Sequence, residues 1–106
     1  MIAIKPGVRV LGLQPEILLA IFVAERLYNE QAQALVVTSI TDGQHKVGSM
    51  HYAGRAVDLR LPTTPAARMI EQLAGRLGAD YDVILEADHI HVEYDPKKLA
   101  PAPAAA

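Results

Sequence analysis

Ser49-Met50-His51-Tyr52-Ala53-Gly54-Arg55-Ala56-Val57-Asp58-Leu59-Arg60-Leu61 is the stretch whose reading decides the fold. From Arg55 onward its residues alternate. Val57, Leu59 and Leu61 point one way and Ala56, Asp58 and Arg60 the other, the period-two pattern of a half-buried strand. Asp58 therefore stands on the face opposite the apolar row. Glu86-Ala87-Asp88-His89-Ile90-His91-Val92-Glu93 repeats the logic. Ile90, Val92 and Tyr94 share one face; His89, His91 and Glu93 share the other. With both strands in one sheet and helices on the apolar face, Asp58 and His91 emerge on the same open face. His51 precedes the first strand across the small turn Ala53-Gly54, and its loop can fold back over Asp58. Two imidazoles and one carboxylate then converge and leave a fourth position for water. That is the catalytic pattern for zinc, because structural zinc sites are usually closed by four protein ligands.

Composition agrees with a small folded domain. A chain of 106 residues allows one domain with one modest core. Apolar residues make up 51% and charged residues 21%, a globular rather than a disordered balance. The net charge of −2, with no cluster of Lys and Arg, argues against nucleic acid as a partner. There is no Cys, so disulfides and thiolate zinc ligands are excluded, and a metal must use His and carboxylate. The longest apolar run, Ile17 to Ala24, falls far short of the roughly twenty residues that span a bilayer. The start, Met1-Ile2-Ala3-Ile4-Lys5-Pro6-Gly7, does not read as a signal peptide. Oligomeric state stays open.

Residues 1 to 13 read as an ordered arm with a turn at Pro6-Gly7. A helix is expected from Pro15, the first helical residue, to about Asn29. Its stripe of Ile17, Leu18, Ile21, Ala24, Leu27 and Tyr28 is widened by Leu19, Phe22 and Val23, which predicts a largely buried helix. Ala34 to Thr41 reads as a strand, followed by a loop that turns at Asp42-Gly43 and leads to His51. Thr64 is the expected N-cap of a second helix, Pro65 to Leu77, which stops at Gly78. Tyr81 to Glu86 and His89 to Tyr94 form a hairpin around Ala87-Asp88. The expected fold is α+β: an antiparallel sheet of about four strands, two helices mainly on one face, and the zinc site on the other. The domain runs over 1–96, and 97–106 is an Ala/Pro-rich flexible tail with no chemistry assigned.

At these residues a family resemblance emerges. Ser-x-His-x-x-Gly-x-Ala-x-Asp is present as Ser49, His51, Gly54, Ala56 and Asp58. Asp-x-x-His-x-Glu is present as Asp88, His91 and Glu93. The two motifs, in this order and with this strand parity, resemble the D-alanyl-D-alanine carboxypeptidase and L-alanyl-D-glutamate endopeptidase family. These are zinc peptidases of bacterial cell-wall metabolism with the hedgehog-type fold, and many are phage endolysins. The resemblance implies Zn2+ held by His51, Asp58 and His91, and a stem peptide or cross-bridge of peptidoglycan as substrate. It also implies Asp88 as general base. Asp88 and His91 are an odd number apart, so Asp88 must sit in the hairpin turn or a bulge to serve the same face. Glu86 is the rival acid. His89 shares a face with His91 and is a second catalytic candidate, as ligand or oxyanion stabiliser; a packing role is its ordinary alternative. Glu93 is placed to orient a ligand imidazole through its second nitrogen. Ser49 is a candidate for the same work or for touching substrate.

One departure from the family stands out. Its members often carry an Arg near the end of the strand before the first motif, where this chain has Thr38-Ser39-Ile40-Thr41. His45, Lys46 and Arg55 are candidates to replace it at the substrate. Singly, each ligand also has a bland reading as a surface or capping residue; jointly, in family order on one face, they favour a metal. Without a signal, a wall enzyme is expected in the cytoplasm of the producing cell, reaching the wall through a holin-like partner, or else on a virion. The rival classes are a zinc-binding hedgehog-like domain without turnover, acting as a binding or virion structural protein, and a zinc hydrolase of some other amide. A serine hydrolase built on Ser49, His51 and Asp58 lacks the Gly-x-Ser-x-Gly elbow.

Overall fold

The computed structural model describes residues 1–42, 49 and 51–96. His45, Lys46 and the tail 97–106 lie outside the described residues. The chain runs through β1 (Ile2–Ile4), α1 (Pro15–Glu30), β2 (Leu35–Ser39), β3 (Ala56–Arg60), α2 (Ala66–Leu77), β4 (Tyr81–Leu85) and β5 (His89–Tyr94). The strands form one sheet in the order β1-β2-β3-β5-β4.

The two alternating stretches lie side by side at its centre. β3 and β5 run antiparallel, with Val57 opposite Val92, Leu59 opposite Ile90, and Asp58 opposite His91. Strand parity then sends Val57, Leu59, Ile90 and Val92 into the core and Asp58 and His91 to the other face. The core joins these residues to Ile17, Ile21 and Leu27 of α1 and to Met69 and Leu73 of α2. β4 returns on β5 through a tight link, closed by the Glu86 N–H donating to the His89 carbonyl at 2.9 Å.

The sheet corrects the expectation of about four antiparallel strands: it has five, and it is mixed. Ile2, Ala3 and Ile4 pair in parallel with Leu35, Val36 and Val37. A parallel neighbour needs a long crossover, and α1 supplies it. The N-terminal arm thus opens as an edge strand. β2 and β3 pair through an irregularity between Val37 and Ser39, so the end of β2 is re-aimed next to Asp58.

The helices carry two further corrections. Leu18, Leu19 and Phe22 are 43%, 55% and 52% exposed, so α1 is buried on one stripe rather than largely buried. A single sheet face and α2 cover only part of its circumference. Thr64 does not cap α2, whose N-cap is Pro65, without a side-chain hydrogen bond. The Thr64 hydroxyl instead donates to Gln31 Oε1 at 2.8 Å and accepts from Gln33 Nε2 at 3.2 Å, tying the start of α2 to the end of α1. Gly78 ends α2 with a φ of 89°, as its place after Leu77 predicts. Among the described residues, no helix is long and apolar enough to cross a membrane.

Candidate metal centre

Asp58 is the hub of the polar face. Its strand is flanked on both sides, and the carboxylate is almost fully buried. His91, its partner across the β3–β5 ladder, brings Nδ1 to 3.0 Å from Asp58 Oδ1. His51 reaches the same oxygen from the loop before β3, with Nε2 at 3.0 Å. His89 approaches the other oxygen, with Nε2 at 3.5 Å from Oδ2. Three of the chain's four histidines thus surround one carboxylate.

The local structure explains why His51 arrives there. The Ser49 hydroxyl accepts the His51 N–H at 3.2 Å, and Gly54 N–H donates to the His51 carbonyl at 3.0 Å. These bonds hold residues 51–54 in a compact turn beside Ser49. His51 is 2% exposed, and its Nδ1 lies 2.6 Å from the Ile40 carbonyl. Ile40 is itself held by Asp42, whose Oδ1 accepts the Ile40 N–H at 2.9 Å and the Arg9 N–H at 3.0 Å. Burial pushes the Asp42 carboxyl up, but these backbone donors outweigh it and hold it below its ordinary value.

The proton count at this cluster is the test of whether a cation fits. A carbonyl only accepts, so His51 Nδ1 carries a proton, and Nε2 turns its other valence to Asp58. His91 stands between two acceptors, Asp58 at Nδ1 and Glu93 Oε1 at Nε2, the latter 2.8 Å away. Without a cation, both rings must be imidazoliums to avoid lone pairs facing carboxylate. With one, His51 Nε2, His91 Nδ1 and an Asp58 oxygen become three ligands, and two protons give way to one divalent ion. The three atoms lie within 4.8 Å of one another. A tetrahedral zinc with bonds of about 2.0–2.1 Å keeps its ligand atoms roughly 3.3 Å apart, close to the 3.0 Å contacts here. Glu93 and the Ile40 carbonyl then take the outward N–H of each imidazole, which fixes the rings and strengthens them as ligands. The residues present therefore fit zinc.

The electrostatics run the same way. Burial pushes the Asp58 carboxyl up, but hydrogen bonds from His51 and His91 and the charges of His51 and His89 hold it well below the carboxylate range. The hydrogen bond that His91 donates to Asp58 raises His91 above its ordinary value against the effect of burial, and Glu93 adds to the rise.

Asp58 and His89 border a cleft of about 350 Å³, which His51 and His91 do not line. Asp58, Asp88 and His89 line it on one side. Asp88 sits in the link between β4 and β5, as the parity argument requires, and its Oδ1 lies 2.6 Å from His89 Nδ1. Its side chain is exposed. The structure therefore brings together His51, Asp58, His91, His89 and Asp88. Arg55 is exposed just ahead of β3 and does not line the cleft, and Ser49 holds the His51 turn. Glu86 is exposed beyond the end of β4. His45 and Lys46, the other candidates for contacting substrate, fall outside the described residues.

Two cationic residues of the cleft, Arg60 and Lys5, were not among the sequence candidates. Arg60 has the same strand parity as Asp58, a signal that would have placed it. Lys5 follows β1, and no sequence pattern links it to the site. No protein-family model, curated protein or solved structure matches this chain, so the reading of the site rests on its own residues.

Proposed function

We propose that the chain is a zinc-dependent hydrolase of peptide bonds in bacterial peptidoglycan. The reading takes it as a phage endolysin-like relative of the D-alanyl-D-alanine carboxypeptidases and L-alanyl-D-glutamate endopeptidases, with their hedgehog-type fold. The observation that carries it is the convergence of His51 Nε2 and His91 Nδ1 on one buried Asp58 oxygen, at a cleft with a third imidazole. When bound, zinc supplies a Lewis acid for the scissile carbonyl and acidifies the attacking water.

The chain's own residues do the rest. His51, Asp58 and His91 hold the cation, and Ile40 and Glu93 lock the two rings. Asp88 and His89 act as the proton-transfer pair. His89 Nδ1 faces Asp88, and its Nε2, 3.5 Å from Asp58 Oδ2, is turned toward the cleft to take up the proton. The water oxygen bonds to the amide carbon as its proton passes to this pair. The same proton goes to the amide nitrogen as the C–N bond breaks, leaving a carboxylic acid and an amine.

The test is release of new amine groups from purified peptidoglycan by zinc-loaded protein, with a chelated sample and the variants Asp88→Ala and His89→Ala alongside. Release that needs zinc and drops by about 10²–10⁴ in the variants is expected, and mass spectrometry of the products names the bond. Zinc bound with no release from any wall type would instead support a zinc-stabilised binding or virion structural domain.

A further inference from the structure

Of the three candidate ligands, only His51 lies outside a strand. Its aim at Asp58 depends on the loops around it, and an anchor of its ring is the Ile40 carbonyl, 2.6 Å from Nδ1. That carbonyl belongs to the peptide unit between Ile40 and Thr41, just past the end of β2. The unit is pinned from two sides. Thr41 N–H donates to the Arg9 carbonyl at 3.1 Å, and the Thr41 hydroxyl lies 2.9 Å from the same carbonyl. On the other side the Ile40 N–H donates to Asp42 Oδ1 at 2.9 Å, and the same oxygen accepts the Arg9 N–H at 3.0 Å. A single carboxylate oxygen thus closes a ring of bonds from Asp42 through Ile40, Thr41 and Arg9 and back. A peptide unit whose N–H is engaged has its carbonyl polarised toward the next donor, here the His51 imidazole. Asp42 is neither one of the candidate ligands nor a lining residue of the cleft.

We infer that Asp42 is a positioning residue for the metal centre: it sets the Ile40 carbonyl and, through it, the aim of His51. This rests on the reading of His51, Asp58 and His91 as ligands. A neutral imidazole can bind a metal through either nitrogen, and the hydrogen bond at one nitrogen decides that the other is the ligand. With Nδ1–H held by a fixed carbonyl, Nε2 is the nitrogen turned to Asp58. A carbonyl free to swing would leave the ring to be ordered when the ion binds, which weakens binding. The N-terminal arm belongs to the same frame. Arg9 is bonded to Asp42 and Thr41, and Gln14 N–H donates to the Gly54 carbonyl, so the arm braces the chain on both sides of His51. The groups that Asp42 Oδ1 accepts are neutral backbone N–H donors. What they require is an oxygen at that place, and an amide oxygen there serves them too. An oxygen carried one methylene further out does not meet them.

The experiment compares the full chain with Asp42→Ala, Asp42→Glu and Asp42→Asn. Leu77→Ala, which trims a partly buried side chain packed on the core, serves as a control for lost stability. Zinc affinity is measured by competition against a chelator. Exchange of the His51 Nδ1 proton with water is followed by NMR, with zinc and with chelator. Asp42→Ala and Asp42→Glu are expected to weaken zinc on the order of 10–100-fold, the range for groups that hold a ligand from behind, and to speed exchange of the ring proton. Asp42→Asn restores most of both, although it lacks the charge. Leu77→Ala lowers the melting temperature and leaves zinc affinity and ring-proton exchange at the parental values. Where Asp42→Ala fails to fold, the Glu and Asn variants carry the comparison. Parental affinity in all three variants overturns the inference. So does a Glu variant that matches the parent while Asn fails, because charge rather than place would then be at work. Equal losses in Leu77→Ala would reduce Asp42 to a residue that stabilises the fold. No part of the test needs hydrolysis. A parent that binds no zinc would overturn the proposed function, and the ring proton in chelator would still support or refute the hold of Asp42 on His51.

Discussion

His91 lies 3.0 Å from Asp58 and 2.8 Å from Glu93 and satisfies both carboxylates only when fully protonated or metal-bound. This gives the metal-free chain a defined pH response. Asp58 is held below its ordinary 3.8, so its contribution is present above that value and is lost as pH falls through the depressed one. His91 is raised above its ordinary 6.5. Its contribution is therefore complete below 6.5 and lost as pH rises through the raised value. The chelated protein should melt at lower temperature as pH rises above 6.5 through the raised His91 value. Zinc competes with protons for the same nitrogens, so its benefit should grow over the same interval. Calorimetric melts with chelator and with saturating zinc check this, and a gap between them that stays constant with pH would sink the proposed ligand set. At this scale the site was largely legible. A two-residue period assigns each strand side chain to a face, which placed Asp58, His91 and Glu93 together. The Asp88–His89 pair was harder, because parity separates adjacent residues and only the turn geometry brings their side chains into contact.

Among the elements, the turn that presents His51 is the one most dependent on the rest of the fold. Gly54 has a φ of 71° and its carbonyl accepts the Gln14 N–H at 3.0 Å. A Cβ there would lie 2.0 Å from the Gly12 carbonyl oxygen. The backbone of the N-terminal arm thus occupies the space any side chain would need. Gly54→Ala combines left-handed strain with a backbone clash, so a loss of at least about 2 kcal/mol is expected. Zinc affinity should fall with it, because the turn that carries His51 must move. Urea titration and competition against a chelator measure the two, and a variant with parental stability would refute the tight contact. The small turn at Ala53-Gly54 was readable from the sequence. Its packing on Gly12 was not, since contacts distant along the chain leave no local pattern. α1 shows the same limit from the other side. Its apolar periodicity identified a helix with a buried stripe, but could not tell that Leu18, Leu19 and Phe22 would lack cover. How much of a helix is covered is decided by what lies next to it, and here one sheet face and α2 leave that flank open.

Over the whole molecule, core and candidate metal centre occupy opposite faces of the same two strands. Val57, Leu59, Ile90 and Val92 are buried against the helices, while Asp58 and His91 alternate with them and turn away. The α+β class follows from that alternation and was legible. The mixed sheet was not, because β1 is only three residues long and its parallel pairing with β2 depends on the crossover made by α1. The division between faces separates this chain from small domains that unfold without their metal. Its core packs on the face away from the candidate site, and the His51 turn is joined to β3 and β5 through the ligand cluster. Chelation should therefore leave the fold standing and loosen one region. Zinc at a hundredfold excess over its Kd should add about 2.7 kcal/mol to global stability. Hydrogen exchange resolves where that coupling acts. The amides of Val57, Leu59, Ile90 and Val92 should stay protected in chelator, whereas those of His51 and Gly54 should lose protection that zinc restores. Cooperative loss at all of these positions on chelation would show that the core depends on the metal. Unchanged exchange at His51 and Gly54 would show that no ion bridges the turn to the sheet.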